Sequence, residues 1–215
     1  MKYGESLFDI LYLLITICIG IKIIIKGNNK LLKLMGIATI TLGCGDAFHL
    51  VPRILNYFIT YDFSFFLGIG KLITSITMTI FYILIYYIYL ENYKVEENNK
   101  TTIIIWLLAI IRIILCLFPQ NNWFTNESSL LWGITRNIPF TILGILLVIM
   151  YIKKRKEDIL FKDIWLYITL SFVFYLIVVI GASTLPILGM FMLPKTICYI
   201  LIILSFKNKL NKNTK

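Results

Sequence analysis

Asp46, His49 and Arg53 stand at i, i+3 and i+7 in the stretch Gly45-Asp46-Ala47-Phe48-His49-Leu50-Val51-Pro52-Arg53, inside an otherwise apolar run. On a helix these positions share one face. An acid, the chain's single histidine and an arginine on one stripe can bind an anion, relay a proton or activate water. A histidine changes charge near neutral pH, which suits the last two tasks. Ionisable groups at membrane depth are costly, and they ordinarily face a bundle interior and mark a functional site. Lys71, Arg112, Arg136 and Lys195 fall in or beside other apolar runs. Their polar neighbours are Thr74, Ser75, Thr77 and Thr79 in one run, Asn137 in another, and Thr196 and Tyr199 in the last.

The elements that carry these groups are apolar runs of membrane-spanning length. Hydrophobic residues make up 59% of the 215, with a mean hydropathy of +0.86, above the roughly half expected of a soluble domain. The excess collects in stretches of about 20 residues, enough to cross about 30 Å of hydrocarbon. Seven such helices are expected: 7–26, 31–57, 65–90, 102–118, 130–152, 163–180 and 187–206. The fold class is therefore an all-α membrane protein, a bundle of seven transmembrane helices forming one domain over 1–206. A basic cytoplasmic tail, 207–215, is expected to be disordered. The first run carries Asp9 at its start and has no A-x-A cleavage pattern, so it reads as a retained helix. Pro52 is expected to kink the second helix and Pro119 to stop the fourth. Trp123, in the polar segment 120–129, is expected to anchor at an interface.

The formal charge of +10 would point to nucleic acid in a soluble chain. Here most bases lie in short loops, so no nucleic-acid partner is expected. The loops after helices one, three and five carry Lys26, Lys30, Lys33, Lys94, Lys100 and the run 153–156, and the tail adds more. The opposite side has Lys2 and Arg53. The positive-inside rule then places the N-terminus outside and the C-terminus in the cytoplasm of a plasma membrane. The abundance of Ile, Asn and Lys suits an AT-rich bacterial genome.

With that topology, Asp46, His49, Arg53, Lys71, Arg136, Asn137 and Lys195 all fall in the outer half of the bundle, and a polar cavity open to the outside is expected there. Asp46 pairs most simply with Lys195. The remaining bases leave the cavity cationic, and an unpaired buried cation is expensive, so a small anion or a lipid headgroup is the natural ligand. Arginine suits bidentate phosphate or carboxylate recognition. Pro194, expected in mid-helix beside Lys195, would free backbone carbonyls where the charge sits. Arg112 is expected to reach toward a headgroup. Helix-three threonines either bond their own backbone or ease close packing.

Other chemistry has little support. One histidine without clustered thiolates is too few ligands for zinc, and no metal or cofactor is expected. Cys18, Cys44, Cys116 and Cys198 all lie in apolar runs without CxxC spacing and read as small buried residues. No GxSxG elbow, Walker loop or HExxH occurs.

Gly45-Asp46, followed by Phe66-Leu67-Gly68-Ile69-Gly70 and by Phe81-Tyr82, resembles the lysoplasmalogenase-like multi-pass membrane family over about 40 residues. The resemblance implies a catalytic role for Asp46 in ether-lipid hydrolysis, shared with a second aspartate. No Ser-Asp pair follows in helices five to seven, so that partner is missing here. Seven helices with a lysine in the last also resemble rhodopsin-like architecture. That would make Lys195 a Schiff-base site for retinal with Asp46 as counter-ion, although helix three offers no carboxylate.

The expected function is a carrier or receptor for a small anion or lipid headgroup. Its ligand site comprises Asp46, His49, Arg53, Lys71, Thr74, Ser75, Arg136, Asn137, Lys195, Thr196 and Tyr199. The alternatives are an intramembrane lysophospholipid or ether-lipid hydrolase with Asp46 and His49 as catalytic residues, and a structural or assembly subunit whose charges meet partner helices.

Overall fold

The computed structural model describes residues 2–125, 129–182 and 184–213. Seven long helices account for most of them: α1 (Lys2–Lys26), α2 (Lys30–Phe58), α3 (Ser64–Tyr93), α4 (Asn99–Leu117), α5 (Leu130–Lys154), α6 (Ile164–Gly181) and α7 (Met192–Asn213). No strand occurs among the described residues. By length and composition seven helical segments can each cross a membrane, the last comprising α7 and the short helix before it. The architecture is compatible with a multi-pass membrane protein.

Local sequence sets the helix ends. Asn29 and Asn98 cap α2 and α4 with side chains that accept from Leu32 N and Lys100 N at 2.9 and 3.0 Å. Ser129 plays the same part for α5. Lys94, at φ 52°, turns the chain out of α3 through the left-handed region. Pro52 is accommodated inside α2, which continues to Phe58.

Two stretches depart from expectation. Pro186–Phe191 forms a 3-10 helix, and the α-helical part of the last span begins only at Met192. Pro194 therefore sits in a first turn, where its missing N–H leaves no bond unmade, so it frees no mid-helix carbonyl. Residues 207–213 of the tail are helical rather than disordered, with Leu210 buried. Residues 126–128, in the expected polar turn before α5, and Ser183, in the turn before α7, lie outside the described residues, as do the last two of the tail.

Small residues bring α2 and α3 together. A Cβ at Gly70 would lie 2.3 Å from Phe48 O, and one at Gly45 would strike the Thr77 side chain. Thr74 Oγ1 takes the opening and donates to Gly45 O at 3.0 Å. The end of the bundle holding the α1 and α5 C-termini is solid. There Tyr82, Tyr86, Tyr151, Phe161 and Phe206 are fully buried in one cluster with Ile85, Leu147 and Ile203. The outer faces of α1, α4 and α5 are apolar instead, with Leu14, Ile21, Leu107, Ile114, Ile138 and Ile145 exposed. Cys18 and Cys44 lie on that exterior, so only Cys116 and Cys198 match the expectation of burial.

Candidate functional site

The other end of the bundle is hollow. A cavity of about 800 Å³ lies there, and all seven helices contribute to its wall. The contribution is periodic: α2 presents Asp46, His49, Leu50 and Arg53, α3 presents Lys71, Thr74, Ser75 and Met78, and α7 presents Met192, Lys195, Thr196 and Tyr199. Each set is the i, i+3, i+4, i+7 stripe of one helix face. Of the residues expected from sequence to bind a ligand, all but Asn137 line this cavity. Asn137 is buried behind the wall, where it accepts from Tyr175 Oη at 3.0 Å and donates to Gly133 O at 2.8 Å. Its part is to fix Tyr175, which does line the cavity.

On the α1–α2 side the charges are mixed. Tyr12 donates its hydroxyl to Asp46 Oδ2 at 2.5 Å. Arg53 pairs with Glu5, and Tyr57 also donates to Glu5, at 2.9 Å. Asp9 is 4% exposed, and its Oδ2 is buried without a hydrogen-bond partner. His49 Nδ1 is likewise buried and unpartnered, while the ring engages the Leu67 backbone. Glu5, Asp9 and Tyr12 belong to the site although they were not expected there. Their i, i+4, i+7 spacing carried the signal, but they sit at the very start of the first span, where polar residues look merely terminal.

The α3–α4–α5 side is basic. Arg112 is 2% exposed, so it does not snorkel out to the membrane surface. Its guanidinium carbon lies 3.2 Å from the Phe140 ring centroid, with Cys116 alongside, and its Nε and Nη1 have no hydrogen-bond partner. Arg136 is held by the α4–α5 connection: Nη1 donates to Asn121 Oδ1 at 2.5 Å, and the guanidinium lies over Trp123 at 4.3 Å. Trp123 is 5% exposed, which corrects its reading as an interfacial anchor. The cause is the end of α4, whose last carbonyls need donors. Asn121 Nδ2 donates to Leu115 O and Phe118 O, both at 2.8 Å, and Trp123 Nε1 donates to Cys116 O at 2.7 Å. The loop folds inward to supply them.

Lys195 does not make the ion pair expected with Asp46. Its ammonium lies over the rings of Tyr175 and Tyr199, at 4.8 and 5.5 Å. Three hydroxyls of the wall or beside it are spent on their own helices: Ser75 donates to Lys71 O, Thr77 to Ile73 O and Thr196 to Met192 O. Ser75 Oγ is thus not bonded to His49, as a nucleophile would be. In all, five bases and three acids line the cavity, and the Arg53–Glu5 pair accounts for one of each. Among the described residues no three His, Cys, Asp or Glu side chains cluster to hold a metal.

The glycines that carried the family resemblance have packing roles here: Gly45 meets Thr77, Gly68 abuts the Trp123 carbonyl and Gly70 abuts Phe48 O. No protein-family model, curated protein or solved structure matches the chain.

Proposed function

We propose that the chain is a seven-span plasma-membrane protein, N-terminus outside and C-terminus in the cytoplasm, whose outward-facing cavity binds a small anion or a lipid headgroup as a carrier or receptor. The orientation rests on the bases Lys26, Lys30, Lys94 and Lys153–Lys156, which lie at the solid end, away from the cavity. The observation that carries the ligand class is Arg112. A guanidinium so deeply buried, with Nε and Nη1 unpaired and the residue in the cavity wall, is stabilised by negative charge placed in that cavity. Lys71, Arg136 and Lys195 add positive potential around the same space. Asp46 and His49 supply groups through which protonation can be linked to binding.

Native mass spectrometry of the purified protein tests this. Wild type should carry a specific anion or phospholipid that Lys195→Ala and Asp46→Asn lose. If wild type carries none and the variants match it, the charges are structural pairs or contacts to partner helices.

A hydrolytic reading is favoured by one contact, the short Tyr12–Asp46 hydrogen bond, which holds a carboxylate in the cavity near His49. In that case Asp46→Asn abolishes lipid hydrolysis in detergent but spares binding, whereas a carrier releases its ligand unchanged.

A further inference from the structure

The anion's own shape is written in the uncharged part of the wall. α6 and the 3-10 turn present Val178, Val179, Ala182, Ile187 and Met190 to the cavity, and none of the residues they contribute is charged. Ile187 and Met190 are 65% and 47% exposed, so this apolar wall runs from the cavity out to the apolar exterior of the bundle. The lumen in front of it is open: Gly133 and Gly189 line it, and a Cβ on either would meet nothing within 4 Å. Arg112, backed by Phe140, stands on the α4 side with two donors unmet. The cavity thus joins basic groups on α2, α3, α4, α5 and α7 to an uncharged wall on α6 and the 3-10 turn.

Building on the anion-binding reading above, we infer that the ligand is a single-chain amphiphile, an acyl chain ending in a carboxylate or a phosphate. The headgroup lies on Arg112 and the chain lies along the α5–α6 wall past Gly133. The volume suits one chain. A methylene is about as large as a water, whose share of liquid volume is roughly 30 Å³, so sixteen carbons need roughly 500 Å³. A cavity of about 800 Å³ has room for one such chain and its headgroup.

The test is a calorimetric titration of the purified full chain with four probes: palmitate, a sixteen-carbon lysophosphatidate, butyrate and inorganic phosphate. A buried methylene raises affinity by up to about fourfold, so at least one long-chain probe should bind at least 100-fold more tightly than its short counterpart. Arg112→Gln should weaken that probe at least tenfold, with Arg112→Lys intermediate because it keeps the charge but loses the fork. Gly133→Leu, which fills open lumen, should weaken the long chain tenfold and leave phosphate or butyrate unchanged. Binding of palmitate alone assigns a carboxylate headgroup, binding of lysophosphatidate alone assigns a phosphate, and either supports the class. Equal affinity for long and short probes overturns the amphiphile and leaves the anion cavity standing. Long-chain binding indifferent to both Arg112→Gln and Gly133→Leu is detergent-like adsorption and also overturns it. If no probe binds, both readings fall.

Discussion

Tyr82, Tyr86 and Tyr151 at one end of the bundle are as deeply buried as Asp9 and Arg112 at the other. The tyrosines have partners: Ser171 for Tyr82, Thr102 for Tyr86, and the Ile85 carbonyl for Tyr151. At that end Tyr93 Oη and Asn92 Oδ1 are the exceptions. Around the cavity, Asp9 Oδ2, His49 Nδ1, Arg136 Nε and two nitrogens of Arg112 all lack partners. Buried polar atoms in an interior shaped only for stability are matched. Among the described residues five of the nine unmatched side-chain atoms belong to cavity-lining residues, with Ser6 Oγ and Thr16 Oγ1 elsewhere on α1, and that concentration is how a site awaiting a polar ligand differs from a core.

The largest expected effect separates the two interiors by packing. Tyr151→Ala at the solid end should cost about 3–5 kcal/mol, read as loss of thermal stability in detergent. Val179→Ala on the cavity wall should cost under about 1 kcal/mol, because that side chain faces open space rather than packed neighbours. Comparable losses would mean the cavity wall is packed like the core. Glycines give a finer contrast. Gly70→Ala forces a Cβ against the α2 backbone and should cost about 1–3 kcal/mol. Gly133→Ala, inside α5, meets nothing and should raise stability by up to about 1 kcal/mol through helix propensity.

The smallest effect concerns pH at the solid end. Asp158, in the α5–α6 connection, takes Lys209 Nζ at 2.5 Å, the Leu160 N–H at 3.0 Å and Asn92 Nδ2 at 3.2 Å. Burial pushes its carboxyl up, but these donors outweigh burial and hold it below the ordinary value of 3.8. A carboxyl depressed on folding stabilises the fold above its unfolded value, and the benefit is lost as pH falls through the folded one. Asp158→Asn should therefore be less stable than wild type at neutral pH. The gap should close as pH drops below about 4, as thermal melts across an acid series would show.

How much of this was legible in the sequence depended on whether depth or direction was asked. Hydropathy placed the seven helices and put Asp46, Lys71, Arg136 and Lys195 at one level. It could not say which way Arg112 faced, although its i−3 and i+4 neighbours Ala109 and Cys116 are both buried, and small residues there mark an inner face. The late start of α7 was hidden because 187–193, which spans that start, is uniformly apolar, and a proline near a helix start reads like a kink until the start is known. Trp123 looked interfacial because composition does not register the unpaired α4 carbonyls that draw it inward. The tail looked disordered by its charge, but Lys209 has a buried partner across the bundle in Asp158.

Trp123 has a further consequence. Of the four tryptophans it alone is buried, and a guanidinium lies against its indole. The protein thus carries a native chromophore whose emission reports where Arg136 sits. An occupant of the cavity that draws Arg136 from the ring changes that emission without any added label, and Trp123→Phe silences it while the other three tryptophans keep emitting.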